Sequence, residues 1–313
     1  MRDPARGSVL VLGESLVDVV QLDDGRVAEH PGGSPANVAV AMARLGVPVE
    51  LATAFGLDRR GELIRYHLAA NGVRLAGDPE RLGRTSTAIA TIDGTGAASY
   101  RFDVTGDLGA PGRSADRVHL HTGSIGALLE PGAAVVAQAV AEHATHATVS
   151  YDVNARPAVT GSGPELTAAV EEVVRRSDVV KASDEDLVVV YPRLGTGEAV
   201  GRLLALGAAA VVVTGGAAGA VCFTPGRSIE VPGTPVEVVD TIGAGDAFMA
   251  ALLDGLWRAG ALGASGRSVL YGGGARLWKP VLSRACAAAA ISVGRRGADP
   301  PTRSELASRT AVA

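Results

Sequence analysis

Short apolar or β-branched runs recur along the chain at residues 9–12, 118–121, 148–152, 179–181 and 211–214, and each gives way to glycine or a polar residue. Runs of this length, with little strict alternation, predict strands covered on both faces. Helical patterns lie between most of them, at 35–45, 61–71, 131–143, 164–176, 197–206, 246–259 and 283–293. Strands alternating with helices predict a mainly parallel sheet in an α/β fold. Ligands of such sheets gather at the carboxyl ends of the strands, so polar residues there are the ones to examine.

Two segments break the rhythm. Residues 15–29 read as two strands about a turn at Asp23-Asp24-Gly25, and residues 85–103 as two strands about Asp93-Gly94, a strong hairpin signal. Together, over about 15–30 and 85–104, they predict a small β-sheet projecting from the main body as a lid. Residues 203–223 carry no charge and mimic a membrane span in length. Gly207, Thr214-Gly215-Gly216 and Gly219 interrupt them, which predicts a helix end, a buried strand and a glycine turn. The run at 9–12 is broken by Gly13-Glu14, far short of a signal-peptide core. Residues 261–280 form a Gly-rich excursion.

Composition narrows the function classes. Apolar residues make up 47% and charged residues 20% of 313, a balance that can bury a large core. The 29 basic and 33 acidic residues leave a net charge of −4, which argues against a nucleic-acid surface. Only Lys181 and Lys279 are lysines; every other basic residue is arginine. Cys222 and Cys286 are too few for a disulfide framework and form no CxxC pair, so they read as buried thiols of a cytoplasmic protein.

The strongest local feature is Asp240-Thr241-Ile242-Gly243-Ala244-Gly245-Asp246-Ala247-Phe248, where a β-like run at 236–239 meets a glycine turn and a helical pattern. Small residues at 243–245 let backbone approach a ligand, and the N–H groups of a helix start favour an anion. Asp246 beside that anion hole could take a proton from a substrate hydroxyl while the N–H groups stabilise a transferring phosphoryl. The second feature is Gly32-Gly33-Ser34-Pro35-Ala36-Asn37. Ser34 reads as an N-cap, Pro35 as the first helical residue and Gly46 as the stop. That punctuation leaves Gly32, Gly33 and Asn37 unexplained. The third is the strand end and glycine turn from Thr214 to Gly219.

Neither lysine follows a glycine, which excludes a Walker A loop, and no GxGxxG opens the first helix. His119/His121 and His143/His146 lack accompanying carboxylates or cysteines at ligand spacing.

The two glycine motifs, in this order, resemble the signatures of the PfkB-type, ribokinase-like carbohydrate kinases. The likeness runs from Gly13 to Pro301 and takes in Gly13-Glu14-Ser15-Leu16-Val17-Asp18, Gly123-Ser124, Asp152-Val153-Asn154-Ala155-Arg156 and Gly297-Ala298-Asp299-Pro300-Pro301. The Gly-Glu opening, Tyr100-Arg101-Phe102 and the Asp-x-Asn-x-Arg motif lean towards bacterial fructokinases. The resemblance implies a single domain over 1–313: three α/β/α layers, a mainly parallel sheet and a small β-sheet lid. It implies ATP-dependent phosphorylation of a sugar's primary hydroxyl, with fructose giving fructose 6-phosphate. Keto-deoxygluconate, ribose and nucleosides are the alternative acceptors in the same fold, and a catalytically silent sugar-binding regulator is the alternative of another class.

Residue by residue, the resemblance implies Asp246 as base and Gly243, Ala244 and Gly245 as anion hole. Asp18, Gly32, Gly33 and Asn37 would hold the sugar, with Arg101 and Arg156 reaching sugar or phosphate oxygens. Thr214, Gly216, Gly219 and Gly245 would line the nucleotide. Mg²⁺ would accompany ATP, organised through water by Asp186, and K⁺ would sit near Asp240 and Ile242. Partners would be the sugar, ATP and a second copy docked through the lid, with no nucleic acid or membrane. The chain departs from the family pattern at Gly56-Leu57-Asp58, where relatives carry a second acid, and at Ser183-Asp184-Glu185-Asp186, where Asp186 replaces a longer Glu. Residues 261–280 match no motif of the family and fall close to the expected nucleotide pocket.

Overall fold

The computed structural model describes residues 7–21, 26–92 and 98–311. Among them the main sheet has nine strands. Their spatial order is Arg227–Val231, Ala220–Thr224, Ala210–Thr214, Val179–Ser183, Thr148–Asp152, Arg117–Gly123, Ser8–Leu12, Val49–Ala52 and Arg74–Leu75. From Ala210–Thr214 to Arg74–Leu75 every neighbouring pair is parallel; the two strands at the other edge are antiparallel.

The predicted central strands form because their residues fit a sheet buried on both faces. Val9 and Val11 pack into one apolar cluster, Leu10 and Leu12 into another, and all four are fully buried. Burying such a side chain stabilises by roughly 1.5–3 kcal/mol. The first cluster includes the helices Ser34–Arg44, Ala244–Arg258 and Ala275–Val293; the second includes Gly132–His143, Pro164–Val174 and Thr196–Ala205. The result is a three-layer α/β/α body, as the sequence pattern predicts.

A separate four-stranded sheet has the order Val27–Gly32, Leu16–Gln21, Thr87–Ile92, Ala98–Asp103. It is the predicted lid sheet; the turns predicted at 23–25 and 93–94 lie outside the described residues. Asp58 anchors its base. This carboxylate caps the helix Arg59–Ala70 through the Gly61 N–H at 2.8 Å and accepts the Thr85 N–H at 2.8 Å and hydroxyl at 2.6 Å. Leu57, where the family pattern has an acid, is 79% exposed.

Several expectations need correction. Residues 236–239 are not a strand: Val238 and Val239 are exposed, and Val239 and Asp240 donate backbone bonds to the Val293 carbonyl at a helix end. Among the described residues no neighbouring strand pairs with this β-like sequence. Residues 261–280 lie away from the Thr214–Gly219 turn, at the amino end of the strands. There the Gly263 N–H bonds Thr148 Oγ1 at 3.0 Å and Arg267 bonds Asp178 Oδ1 at 3.0 Å. The helix Ala244–Arg258 runs the full depth of the body, so the segment following it emerges at the far end. Residues 203–223 divide, as read, into a helix end, the strand Ala210–Thr214 and a glycine turn. No helix of the described residues is long and apolar enough to cross a membrane.

Candidate active site

The glycine turn before Ala244–Arg258 sets the geometry. Gly243 is the N-cap at φ +73°, and a Cβ there would meet Ala298 Cβ at 2.8 Å, so only glycine fits both the backbone and the space. The Ala244 N–H is engaged by the Thr241 carbonyl at 3.2 Å. The N–H groups of Gly245 and Asp246 find no acceptor among the described residues, as helix starts leave them. They stand in the first turn of a 15-residue helix, at the positive end of its dipole.

Asp246 stands in that first turn. Its carboxylate is held at both oxygens: Ser34 Oγ donates to Oδ1 at 2.6 Å and Asn37 Nδ2 donates to Oδ2 at 2.8 Å. This corrects the local reading of Ser34. The N-cap is Gly33, with no side-chain cap bond, and Ser34 is the first helical residue. Its hydroxyl serves a partner 212 residues away. Hydrogen bonds to an ionised group are among the stronger ones and fix its direction.

Gly32 and Gly33 also find their reason here. A Cβ on Gly32 would stand 2.2 Å from Asp18 Oδ2, so the missing side chain is the space that Asp18 occupies. Asp18 lies on the lid strand Leu16–Gln21, paired in register with His30 and Ala88. Burial pushes its carboxyl up to about 6, with Asp246 adding to the rise and His30 and Arg156 opposing it. Asp18, Gly32, Asn37 and Asp246 therefore converge where the lid meets the main sheet. Arg156 is exposed beside them, its Nη1 donating to the Ala155 carbonyl at 2.9 Å. Arg101 is exposed on the lid strand Ala98–Asp103, opposite Ile89.

Below Asp246 lies Glu14, 7% exposed. Burial pushes it up to about 7, against bonds from its own backbone, the Gly126 N–H and Ser124. Ser124 itself sits at φ +57°, a conformation uncommon for a side chain other than glycine, asparagine or aspartate. Asn154, in the Asp-x-Asn-x-Arg motif, also has positive φ, +36°, and its buried Nδ2 has no hydrogen-bond partner. An orphaned buried donor is rare in a folded chain and marks this position for attention. The motif had drawn attention to Arg156 and not to Asn154.

Thr214 ends its strand, and Gly216–Ala218 forms a 3₁₀ turn closed by the Gly215 N–H on the Gly219 carbonyl at 3.0 Å. Asp186 completes a capping box with Ser183; its oxygens accept the Ala155 and Ser183 N–H groups, both at 2.7 Å. Asp240 accepts the Ile242 N–H at 3.0 Å and the Gly297 N–H at 2.8 Å, tying the turn to the segment after the last core helix. Among the described residues no group of three or more His, Cys, Asp or Glu gathers as a metal-ligand set. His119 and His121 instead join Ser150 in an interior network, at 2.8 and 2.9 Å, and burial lowers both to about 3.

Comparison with known proteins shows what the chain as a whole is similar to. The family model described as pfkB family carbohydrate kinase matches residues 6–305. A fructokinase of Rhizobium leguminosarum bv. trifolii is 32% identical over 260 residues, covering 79% of each chain. Among solved structures, the fructokinase of Xylella fastidiosa with bound ATP superposes with a TM-score of 0.86 at 26% identity, covering 98% of this chain and 99% of that one. A double mutant of the Vibrio cholerae O395 fructokinase, holding fructose, ADP and a potassium ion, gives 0.79 at 28% identity over 99% of both chains.

Proposed function

The chain belongs to the pfkB family of carbohydrate kinases, and on that premise we propose that the sugar it phosphorylates is fructose, at the primary hydroxyl, giving fructose 6-phosphate. ATP-dependent phosphorylation of a sugar is the activity of the family; the acceptor and the residue roles are our assignment. The observation that carries the chemistry is the Asp246 carboxylate, oriented by Ser34 and Asn37 at a helix start where the Gly245 and Asp246 N–H groups have no acceptor among the described residues.

Asp18 and Asn37 hold the sugar hydroxyls, and Gly32 and Gly33 leave the room. Asp246 accepts the proton of the attacking hydroxyl. The sugar oxygen bonds the terminal phosphorus as the bond to the bridging oxygen breaks, and its electron pair leaves with ADP. The N–H groups of Gly245 and Asp246 stabilise charge on the transferring oxygens, whereas that of Ala244, expected in the anion hole, is taken by the Thr241 carbonyl. Arg101 and Arg156 reach outer oxygens of sugar or phosphate. Thr214, Gly216 and Gly219 form the nucleotide bed.

Mg²⁺ fits this donor set in the manner of a nucleotide-borne ion. It keeps several waters and uses one or two carboxylates besides phosphate oxygens. Asp186 would reach it through water, since both its oxygens already serve backbone N–H groups and retain lone pairs. K⁺ would be held at Asp240 and the Ile242 carbonyl.

Relatives named fructokinase, and a neighbour structure that holds fructose, support the acceptor. ADP release from Mg·ATP across fructose, ribose, 2-keto-3-deoxygluconate and adenosine, each with and without K⁺, tests it. Selective turnover of fructose is expected. Preference for the sugar acid would reassign Arg101 and Arg156 to its carboxylate, and silence with all four would overturn the proposal.

A further inference from the structure

Asp152 and Lys181 are register partners on adjacent parallel strands, Asp152 at the carboxyl end of its strand and Lys181 at the middle of the next. Lys181 Nζ lies 2.8 Å from each Asp152 oxygen, and the two side chains are 5% and 1% exposed. On its other side the ammonium backs onto the anion-binding turn: a Cβ on Gly245 would stand 3.5 Å from Nζ. We propose that Lys181 is a catalytic residue that contacts the transferring phosphoryl from the sheet side, opposite the free N–H groups, with Asp152 as its positioning residue. This rests on the kinase reading above and adds a contact to it.

Charge makes the case for a ligand there. Glu14, Asp18, Asp152, Asp186 and Asp246 crowd the cleft, and Lys181 is the buried cation among them. A triphosphate entering an acidic cleft needs fixed positive charge as well as a metal ion. The pair is also a poor device for stability alone, because a buried ion pair often matches or falls below apolar side chains of the same volume. Burial works against the ammonium, yet the carboxylates of Asp152, Asp186 and Asp246 outweigh it and hold Lys181 above its ordinary range.

Residue choice points the same way. In a chain that writes nearly every cation as arginine, the buried cation beside Asp152 is lysine, while the equally buried Arg117 pairs elsewhere with Glu50. A guanidinium is a broad planar fork; an ammonium is a compact point charge. The compact form stands between the two Asp152 oxygens and the backbone of Gly245, and an ammonium's third donor is left for a phosphoryl oxygen. As the bond to the bridging oxygen breaks, charge grows on the leaving oxygen and on the transferring group. A fixed ammonium within reach stabilises that state more than the ground state.

Titration of wild type, Lys181→Met and Asp152→Asn with Mg²⁺-loaded β,γ-methylene-ATP and with AMP reads the contact without turnover. Lys181→Met should bind AMP within about twofold of wild type and the triphosphate analogue about tenfold or more weakly, the loss of a bond to a charged group. Its kcat should fall about 10²–10³-fold, as for other lost transition-state donors, with sugar KM little changed. Equal affinity changes for both nucleotides, or kcat within about twofold, would overturn the proposal. If Lys181→Met shows no cooperative melt, Asp152→Asn decides. A selective loss of analogue over AMP affinity supports the proposal, and parallel loss refutes it. A wild type that phosphorylates no sugar would sink the kinase reading, while the two titrations would still decide the Lys181 contact.

Discussion

Replacing Glu14 by glutamine keeps the acceptor that the Gly126 N–H uses at 2.8 Å and removes the charge. In the folded chain burial raises this carboxyl from an ordinary 4.5 to about 7. The folded state therefore holds the proton more tightly than the unfolded state does. Glu14 costs nothing below the unfolded value, costs progressively more as pH rises through the interval from 4.5 to about 7, and carries its full penalty above it. At about 1.4 kcal/mol per pH unit that penalty is roughly 3 kcal/mol, a large fraction of a typical net stability of about 5–15 kcal/mol. Urea denaturation of wild type and Glu14→Gln at pH 5 and pH 8 isolates it, because other titrating groups are common to both. The variant should gain on wild type by roughly 2–3 kcal/mol between the two values. Parallel behaviour of the two proteins would refute the reasoning and place Glu14 in contact with water.

Three further outcomes follow from the site. Asp18, raised by burial to about 6, accepts a sugar hydroxyl more strongly when ionised, so kcat/KM for sugar should fall below about pH 6, and Asp18→Asn should flatten that acid limb while lowering affinity. Gly32→Ala puts a methyl 2.2 Å from Asp18 Oδ2; displacing that carboxylate should raise sugar KM at least about tenfold while AMP affinity holds, since a misplaced positioning group costs about that much or more. Asp246→Asn should retain sugar affinity and lower turnover at least 10²-fold, the usual loss for a missing general base.

The central sheet was legible because its strands are β-branched runs that need no knowledge of their neighbours. The strand Val49–Ala52 was not, since Glu50 breaks its run and faces Arg74 and Arg117 at the body's edge. Residues 236–239 show the converse error: a strand-like sequence with no edge to join. At the site, Gly243 and Asp246 declared themselves through a local turn-and-helix pattern. Ser34 misled, because the local rule for a serine before proline at a helix start is capping, and its true partner is far along the chain. Lys181 and Asp152 were each visible, but their pairing depends on the register of two adjacent strands, which single-sequence patterns do not specify.

The most direct test of the account is fructose-dependent ADP release from Mg·ATP, measured for wild type and Asp246→Asn beside fructose binding for both. The account predicts selective turnover by wild type, a loss of at least 10²-fold in the variant, and fructose affinity nearly unchanged. Turnover in Asp246→Asn close to that of wild type would contradict it.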